Sequence, residues 1–344
     1  MNDKSVLIIG CGSTGLATAA HLSRQGVLVT VCDTPEQTSS FEAIRANGGI
    51  RLTGALEAEP VLPYGMTNDF TAALAAHELV IVCVSAGRHE EIIRLAAPYL
   101  TNRHCILFTP GTLGAVLLRR ATADSSCRGY IVGETCGNLW ACREPSPGVI
   151  FLGGKLQEKL AAAYPETDTA ALVERFRPVL ALRPGSNVLE TALKSPNVVT
   201  HIAGTVMNAP QIEREGESFA MFQSGLSETV VRCFTALEAE RNLVLHSLGL
   251  SCPPSDEPFN RALMADPVAP QLRCFKSLKG PSSMQHRYMS EDAACGVALL
   301  VSIGRKKGIP LPLTESFLTI ASSVCEKDFL REGRTLENLN LTCD

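Results

Sequence analysis

A histidine lies in the middle of a segment that is otherwise small and apolar, KSPNVVTHIAGTVMNAP, residues 194–210. Ser195 suits a helix N-cap and Pro196 a first helical residue, so we predict a helix that begins there. Four polar residues recur at helical spacing and share one face of this helix: Asn197, His201, Thr205 and Asn208. An imidazole on such a face could transfer protons near neutral pH. A histidine that is only hydrogen-bonded within the core is the alternative.

A second segment with ionisable residues, HRYMSEDAACG, spans residues 286–296. Ser290 is predicted to be the N-cap of the next long helix, with Glu291 and Asp292 in its first turn. Acidic residues are favourable there because of the helix dipole alone. Arg287 and Tyr288 could form an ordinary surface pair. These residues by themselves therefore leave the role of the segment open.

Glycines with a dinucleotide-binding spacing follow the first apolar run, SVLII at residues 5–9. The segment GCGSTG places glycines at the three G-x-G-x-x-G positions, which allow a tight turn, close approach of a pyrophosphate and close helix packing. The helix that follows directs its N-terminal amides at the phosphates. We therefore predict a dinucleotide-binding loop formed by Gly10, Gly12, Ser13, Thr14 and Gly15.

An acidic residue, Asp33, ends the second apolar run, VLVTVCD. At this position a carboxylate can accept hydrogen bonds from the adenosine ribose diol and repel a 2′-phosphate. The following residues, TPEQTSS, contain no Arg or Lys that could bind such a phosphate. The sequence thus favours NAD(H), with NADP(H) as the alternative. A turn residue before Pro35 is a second interpretation of Asp33.

Strand and helix patterns divide the chain into two parts. Short runs that are apolar throughout alternate with helical segments in the first part, which is typical of a mainly parallel α/β sheet. Helical patterns dominate after PGSN, residues 184–187. We predict an N-terminal dinucleotide-binding Rossmann domain over residues 1–185 and an all-α C-terminal domain over residues 186–344.

The composition excludes several classes of protein. The 344 residues carry a net charge of −4, so the chain has no broad basic surface for nucleic acid. The thirteen cysteines show no C-x-x-C spacing, which indicates reduced thiols and no metal site. The sequence contains neither a signal peptide pattern nor an apolar run long enough to cross a membrane. These observations predict a cytoplasmic protein.

Four separated segments resemble the octopine/opine dehydrogenase family. They are ETCGNLWACR (134–143), NVLETALKSPNVVTHIAGTVMNA (187–209), ALEAERNLVLHSLGL (236–250) and GPSSMQHRYMSEDAACG (280–296). The resemblance covers nearly the whole chain. Pro210, Ala294 and Cys295 depart from the family pattern near the expected substrate pocket, and the chain is short for the family, so the substrates stay open.

The resemblance implies a reaction in which an α-keto acid and the amine of an amino acid condense to an imine, which a reduced nicotinamide then reduces. It implies that His201 is the general acid/base and is paired with Asp292. Arg287 matches the residue that binds the keto-acid carboxylate. Thr135 and Asn208 are implied as further substrate contacts, whereas Arg143 is interpreted as structural.

Two alternatives remain at the level of sequence. A ketopantoate-reductase-like or β-hydroxyacid dehydrogenase would use a lysine, but Lys194 precedes the predicted helix and is interpreted as a solvated charge. A dinucleotide-sensing protein without turnover would have no chemical need for a His, Arg and Asp set. The apolar helices of the second domain could form a homodimer.

Overall fold

The computed structural model describes residues 4–124 and 129–343. Contacts within the chain divide it into two compact units, Met1–Thr191 (unit 1) and Ala192–Asp344 (unit 2). The sequence placed this division after residue 185. A helix, Val188–Leu193, contains the dividing point.

A mainly parallel eight-stranded sheet forms the centre of unit 1, in the order β12-β11-β8-β7-β6-β1-β2-β5. Its central strands are apolar throughout because helices cover such a sheet on both faces. Only the pair β8 and β11 is antiparallel among the neighbours in this sheet, within the described part of the chain. The strands are β1 (Ser5–Ile9), β2 (Leu28–Cys32), β5 (Gly65–Thr67), β6 (Leu79–Val82), β7 (Cys105–Phe108), β8 (Ile131–Thr135), β11 (Lys159–Ala163) and β12 (Leu182–Pro184).

A smaller sheet of four strands, in the order β4-β3-β10-β9, packs on the same hydrophobic core. Its strands are β3 (Ile50–Gly54), β4 (Ala58–Val61), β9 (Cys142–Ser146) and β10 (Val149–Leu152). The first seven helices are α1 (Ser13–Arg24), α2 (Thr38–Ala46), α3 (Phe70–Ala76), α4 (His89–Ala96), α5 (Gly114–Ala121), α6 (Thr169–Phe176) and α7 (Val188–Leu193). The predicted α/β Rossmann-type domain is confirmed.

Unit 2 is helical, as predicted. Helix α8, Asn197–Met207, packs against α11, α14, α16 and a π-helix, so its buried apolar side chains form the middle of this unit. The remaining helices are α9 (Ala209–Glu215), α10 (Met221–Ser224), α11 (Glu228–Ser247), α12 (Glu257–Met264), α13 (Arg273–Lys276), α14 (Arg287–Ser290), the π-helix (Ala293–Val297), α15 (Ala298–Lys307), α16 (Pro312–Cys325), α17 (Phe329–Glu332) and α18 (Leu336–Leu339).

Two predicted helix starts were wrong. Helix α8 begins at Asn197, with Pro196 rather than Ser195 as its N-cap. Ser290 is the last residue of the short helix α14 and not the N-cap of a long one, because a turn and a π-helix separate it from α15. In contrast, the Ser227 side chain accepts a hydrogen bond from the Val230 amide and caps the long helix α11.

The described cysteines are free thiols, and Cys127 lies outside the described residues. Over the same part of the chain, no group of three or more His, Cys, Asp and Glu side chains could hold a metal ion. None of the helices that the structure describes combines the length and the apolar character needed to cross a bilayer.

Candidate active site

The glycine loop between β1 and α1 has no space for side chains at two positions. Gly10 has φ of +113°, and a Cβ there would lie 2.6 Å from the Cys83 carbonyl oxygen. A Cβ on Gly15 would lie 1.9 Å from the Gly10 carbonyl oxygen, because α1 begins directly against the end of β1. These two glycines are required by the close approach of backbone segments.

Gly12, which lies between these two glycines in the chain, faces open space. A Cβ added to Gly12 would meet no atom within 4 Å, and the residue is exposed. Ser13 and Thr14 form the first turn of α1, whose amides lack intrahelical acceptors by the geometry of a helix. An exposed glycine before a helix N-terminus fits the pyrophosphate of a dinucleotide. The predicted cofactor residues of this loop are therefore compatible with such a ligand.

Asp33 directly follows β2 and is almost fully buried, with 1% of its side chain exposed. Its Oδ2 accepts a hydrogen bond from the Cys11 amide at 2.8 Å, and its Oδ1 accepts one from the Thr34 amide at 2.8 Å. Burial alone would raise the pKa of Asp33, but these amides and the Arg88 guanidinium lower it below its usual value. The carboxylate therefore stays ionised.

A basic residue from another part of the chain contacts Asp33, although the residues that directly follow it contain none. Arg88 Nη2 lies 2.9 Å from Asp33 Oδ1, although 55 residues separate them in the chain. The sheet order explains this contact, since β2 and β6 flank β1 and their parallel carboxyl ends meet at one edge. Arg88 ends a 3₁₀ turn, Ala86–Arg88, that follows β6.

His201 and Asp292, which the resemblance paired, are bonded within unit 2. His201 Nδ1 lies 2.7 Å from Asp292 Oδ2, and both residues are buried, with 6% and 8% exposed. An ionised carboxylate only accepts hydrogen bonds, so it places the ring hydrogen on Nδ1. In that tautomer Nε2 carries the lone pair, which is the form that can take up a proton.

The π-helix that starts directly after Asp292 helps to position it. One extra residue per turn changes the direction of the side chains before and after such a segment, and π-turns occur often at functional sites. The π-helix packs closely on α8, because a Cβ on Gly296 would lie 2.9 Å from a Val198 methyl carbon. This close approach brings Asp292 to His201 on the facing helix.

Tyr288 stacks on the imidazole of His201, a contact that the sequence did not predict. The ring centroids are 3.4 Å apart and the planes differ by 10°. Tyr288 is 3% exposed and also meets the ring of His286 edge to face at 4.7 Å. The stack restricts rotation of the imidazole, so the bond to Asp292 and the stack together hold one ring orientation.

Arg287 is half-buried and lies beside this cluster. Its guanidinium carbon is 5.6 Å from the centroid of the Tyr288 ring. Burial raises the pKa of the Asp292 carboxyl, and the charge of Arg287 acts in the opposite direction. The helical unit thus combines an imidazole, a buried carboxyl and a cation, which can exchange protons and bind a carboxylate.

Thr135 has structural partners in unit 1. Its hydroxyl is fully buried and donates to the Gly137 carbonyl at 2.7 Å. The neighbouring Glu134 is equally buried and accepts hydrogen bonds from the amides of Leu113 and Ala115 at the start of α5. These contacts show that Thr135 has a structural partner, and its contact with substrate stays a prediction.

Asn208 and Lys194 also have partners within unit 2. The Asn208 side chain donates to the carbonyls of Gly204 at 2.8 Å and Gly225 at 3.0 Å, at the C-terminus of α8. These bonds tie the end of α8 to the loop at Gly225, and a contact between Asn208 and substrate stays a prediction. The Lys194 ammonium, which precedes α8, donates to the Ser251 hydroxyl at 2.9 Å.

Comparison with known families and structures places these features in context. Residues 184–325 match the family described as NAD/NADP octopine/nopaline dehydrogenase, alpha-helical domain, and residues 6–136 match ketopantoate reductase PanE/ApbA. An opine dehydrogenase of Arthrobacter sp. (strain 1C) is 28% identical over 99% of this chain and 96% of its own length.

Two solved structures share the fold. An octopine dehydrogenase with NADH and L-arginine superposes with a TM-score of 0.65 at 18% identity, over 93% of this chain and 89% of its own. A yersinopine dehydrogenase with NADP⁺ gives 0.64 at 14% identity, over 100% and 97%. Residues 184–325 thus match the helical domain of the octopine/nopaline dehydrogenase family, and nearly the whole chain is similar to an opine dehydrogenase.

Proposed function

We propose that this protein is an NAD(P)H-dependent opine dehydrogenase. In this reaction an α-keto acid condenses with the amine of an amino acid, and the resulting imine is reduced to a secondary amine. The match of the helical domain to the octopine/nopaline dehydrogenase family and the similarity to an opine dehydrogenase support the reaction class. The observation that carries the proposal is the buried bond between His201 and Asp292 in the helical domain that defines the family.

The chemistry requires a group that both gives and accepts protons. Loss of water from the carbinolamine requires protonation of its hydroxyl, and the incoming amine must first lose a proton. We assign both transfers to Nε2 of His201, because Nδ1 is bound to Asp292. Asp292 stabilises the imidazolium that forms after the ring has taken up a proton.

Arg287 is proposed to bind the carboxylate of the keto acid. A guanidinium offers two parallel N–H donors that match a carboxylate, and its position beside Tyr288 and Asp292 puts this donor next to the acid/base ring. A bound nicotinamide dinucleotide supplies the hydride that reduces the imine carbon. The glycine loop of unit 1 is proposed to bind its pyrophosphate.

The cofactor is proposed to be NAD(H). The buried Asp33 carboxylate stays ionised and would repel a 2′-phosphate, and the carboxylates of Glu36 and Glu91 are close to the same Arg88 cation. Three carboxylates around one guanidinium give this part of unit 1 a net negative charge. That charge favours a ribose 2′-hydroxyl over a 2′-phosphate.

A ketopantoate-reductase-like activity is the second candidate, because residues 6–136 match that family. That match covers the dinucleotide-binding part alone. In the helical unit Lys194 lies outside α8 and is bonded to Ser251, whereas the acid/base pair is on α8 and the facing turn. A reaction with a keto acid alone would nevertheless distinguish this candidate.

The test is the loss of NADH absorbance with pyruvate, glyoxylate or 2-oxoglutarate, each with and without a panel of amino acids. NADPH is run in parallel. We expect oxidation that requires both an amine and a keto acid, and a secondary amine dicarboxylate as product by mass spectrometry. Oxidation with a keto acid alone would refute the opine reaction and favour the second candidate.

A further inference from the structure

Arg88 contacts Asp33 although 55 residues separate them in the chain. Arg88 forms three contacts at the carboxyl edge of the parallel sheet: Nη2 with Asp33 Oδ1 at 2.9 Å and with Thr34 Oγ1 at 3.4 Å, and Nε with Glu91 Oε2 at 2.8 Å. Its side chain remains 29% exposed. The contacts among the described residues use the hydrogens of Nε and Nη2, so those of Nη1 are available to a ligand.

Arg88 also occupies a position that a ribose diol needs. The two oxygens of Asp33 already accept hydrogen bonds from the amides of Cys11 and Thr34 and from Arg88. A carboxylate has about four acceptor positions, so only about one remains for two ribose hydroxyls. Binding of the diol to Asp33 therefore requires Arg88 to yield its place or to contact the ribose itself.

We propose that Arg88 is a specificity-determining residue for the adenosine end of the dinucleotide. While Asp33 and Glu91 hold the guanidinium, the site prefers a 2′-hydroxyl. When the Asp33 carboxylate is absent, the same guanidinium is free to bind a 2′-phosphate through paired N–H donors, a geometry that arginine provides and lysine does not. The inference rests on the proposed function, because it assumes a nicotinamide dinucleotide in this domain.

The test compares dinucleotide binding by calorimetry in six proteins: wild type, Asp33→Ser, Arg88→Ala, the double variant of these two, Glu91→Gln and Arg94→Ala. The ligands are NADH, NADPH and 2′,5′-ADP. We expect Asp33→Ser to raise the affinity for NADPH relative to NADH by about a hundredfold, since it removes a repelling charge and releases Arg88. The double variant should lose at least about tenfold of this gain.

Two single variants keep the test valid if Asp33→Ser does not fold, because that change removes the acceptor of two amides. Arg88→Ala should lower the affinity for NADPH and 2′,5′-ADP by about tenfold and that for NADH by less. Glu91→Gln should raise the affinity for 2′,5′-ADP severalfold, because it removes the charge of the carboxylate that accepts a hydrogen bond from Arg88 Nε. Arg94 is an exposed arginine on α4, the helix that begins directly after Arg88, so Arg94→Ala controls for net charge.

Each result has one interpretation. If Asp33→Ser and the double variant bind NADPH equally, or if Arg88→Ala leaves the ratio of the two affinities unchanged, the inference is refuted. An effect of Arg94→Ala as large as that of Arg88→Ala would refute it as well. If wild type binds neither NADH nor NADPH, the proposed function fails first, and the inference fails with it.

Discussion

Replacing Asp292 by asparagine tests the acid/base assignment most directly. The variant keeps the size of the side chain but removes the charge that faces His201 Nδ1 at 2.7 Å. A hydrogen bond to a charged group contributes about 1.5–3 kcal/mol, and about 1.4 kcal/mol corresponds to a factor of ten in rate. Weaker stabilisation of the imidazolium should therefore lower kcat by about 10- to 150-fold.

The asparagine amide adds a second effect. If it donates to Nδ1, the ring hydrogen moves to Nε2, and the neutral ring can no longer take a proton there. The loss would then approach the upper end of the range for general acid/base catalysis, about 10⁴-fold. The KM for NADH should stay near the wild-type value, because the predicted dinucleotide residues belong to unit 1.

Stability measurements separate this effect from unfolding. Burial raises the pKa of Asp292 above its unfolded value of about 3.9. The folded state therefore binds this proton more tightly than the unfolded chain, and it loses stability as the pH rises from the unfolded value through the folded pKa. Above the folded pKa the ionised carboxylate faces His201. Asparagine has no such cost, so the free energy of unfolding of the variant relative to wild type should increase with pH over this window.

The assay is steady-state NADH oxidation with the best pair of amine and keto acid, with denaturant unfolding at pH 4 to 8 alongside. Glu291→Gln is the matched control, since it removes the adjacent, equally buried carboxyl. A kcat within threefold of wild type for Asp292→Asn would remove the pair from the mechanism. An equal loss in Glu291→Gln would indicate a general effect of charge in this turn.

Four further predictions follow from the same contacts. Tyr288→Leu should lower kcat by about 2- to 10-fold through loss of the stack, with Tyr288→Phe close to wild type, as measured by turnover. Gly12→Ala should keep the melting temperature, since the added Cβ meets no atom within 4 Å, but weaken NADH binding in calorimetry. Thr135→Val should reduce the free energy of unfolding by about 1–3 kcal/mol in denaturant titration and leave the KM of both substrates unchanged. Because its pKa is lowered, Asp33 should stay ionised and keep the NADH affinity constant from about pH 5 to 9, as measured by calorimetry. The ionised carboxylate also contributes to the free energy of unfolding above its unfolded pKa, and this contribution disappears as the pH falls through the folded pKa.

Much of the fold could be predicted from periodicity and end signals. The apolar strands and the glycine turn predicted the parallel sheet, and the helical patterns after residue 187 predicted the helical unit. The turn after Asp292 could not be predicted, because a π-helix has no sequence period of its own and the segment otherwise looks like a helix start. The assignment of Ser290 as a cap failed for this reason.

The candidate site shows a similar limit. Residue types and the resemblance to opine dehydrogenases selected His201 and Asp292. The stack of Tyr288 on the imidazole could not be predicted in this way, because it depends on packing between α8 and α14. The contact of Arg88 with Asp33 depends on strand order, which local pattern does not contain. A basic residue in the turn that follows the strand next to β1 was the available signal, and it becomes informative only when the parallel order is assumed.

Glu134 and Thr135, the first two residues of the ETCGNLWACR segment, show why motif residues need separate structural arguments. Glu134 is fully buried and accepts hydrogen bonds from the Leu113 amide and from the Thr191 hydroxyl, the latter at 3.1 Å. Leu113 itself has a left-handed backbone conformation, with φ of +67°. Without that carboxylate, the amides at the start of α5 would lose their acceptor in a buried place, at a cost of about 1–3 kcal/mol. A family motif can therefore be required by folding alone. The bond between His201 and Asp292 could likewise serve folding, so the turnover of Asp292→Asn, and not the bond itself, decides whether the pair acts in catalysis.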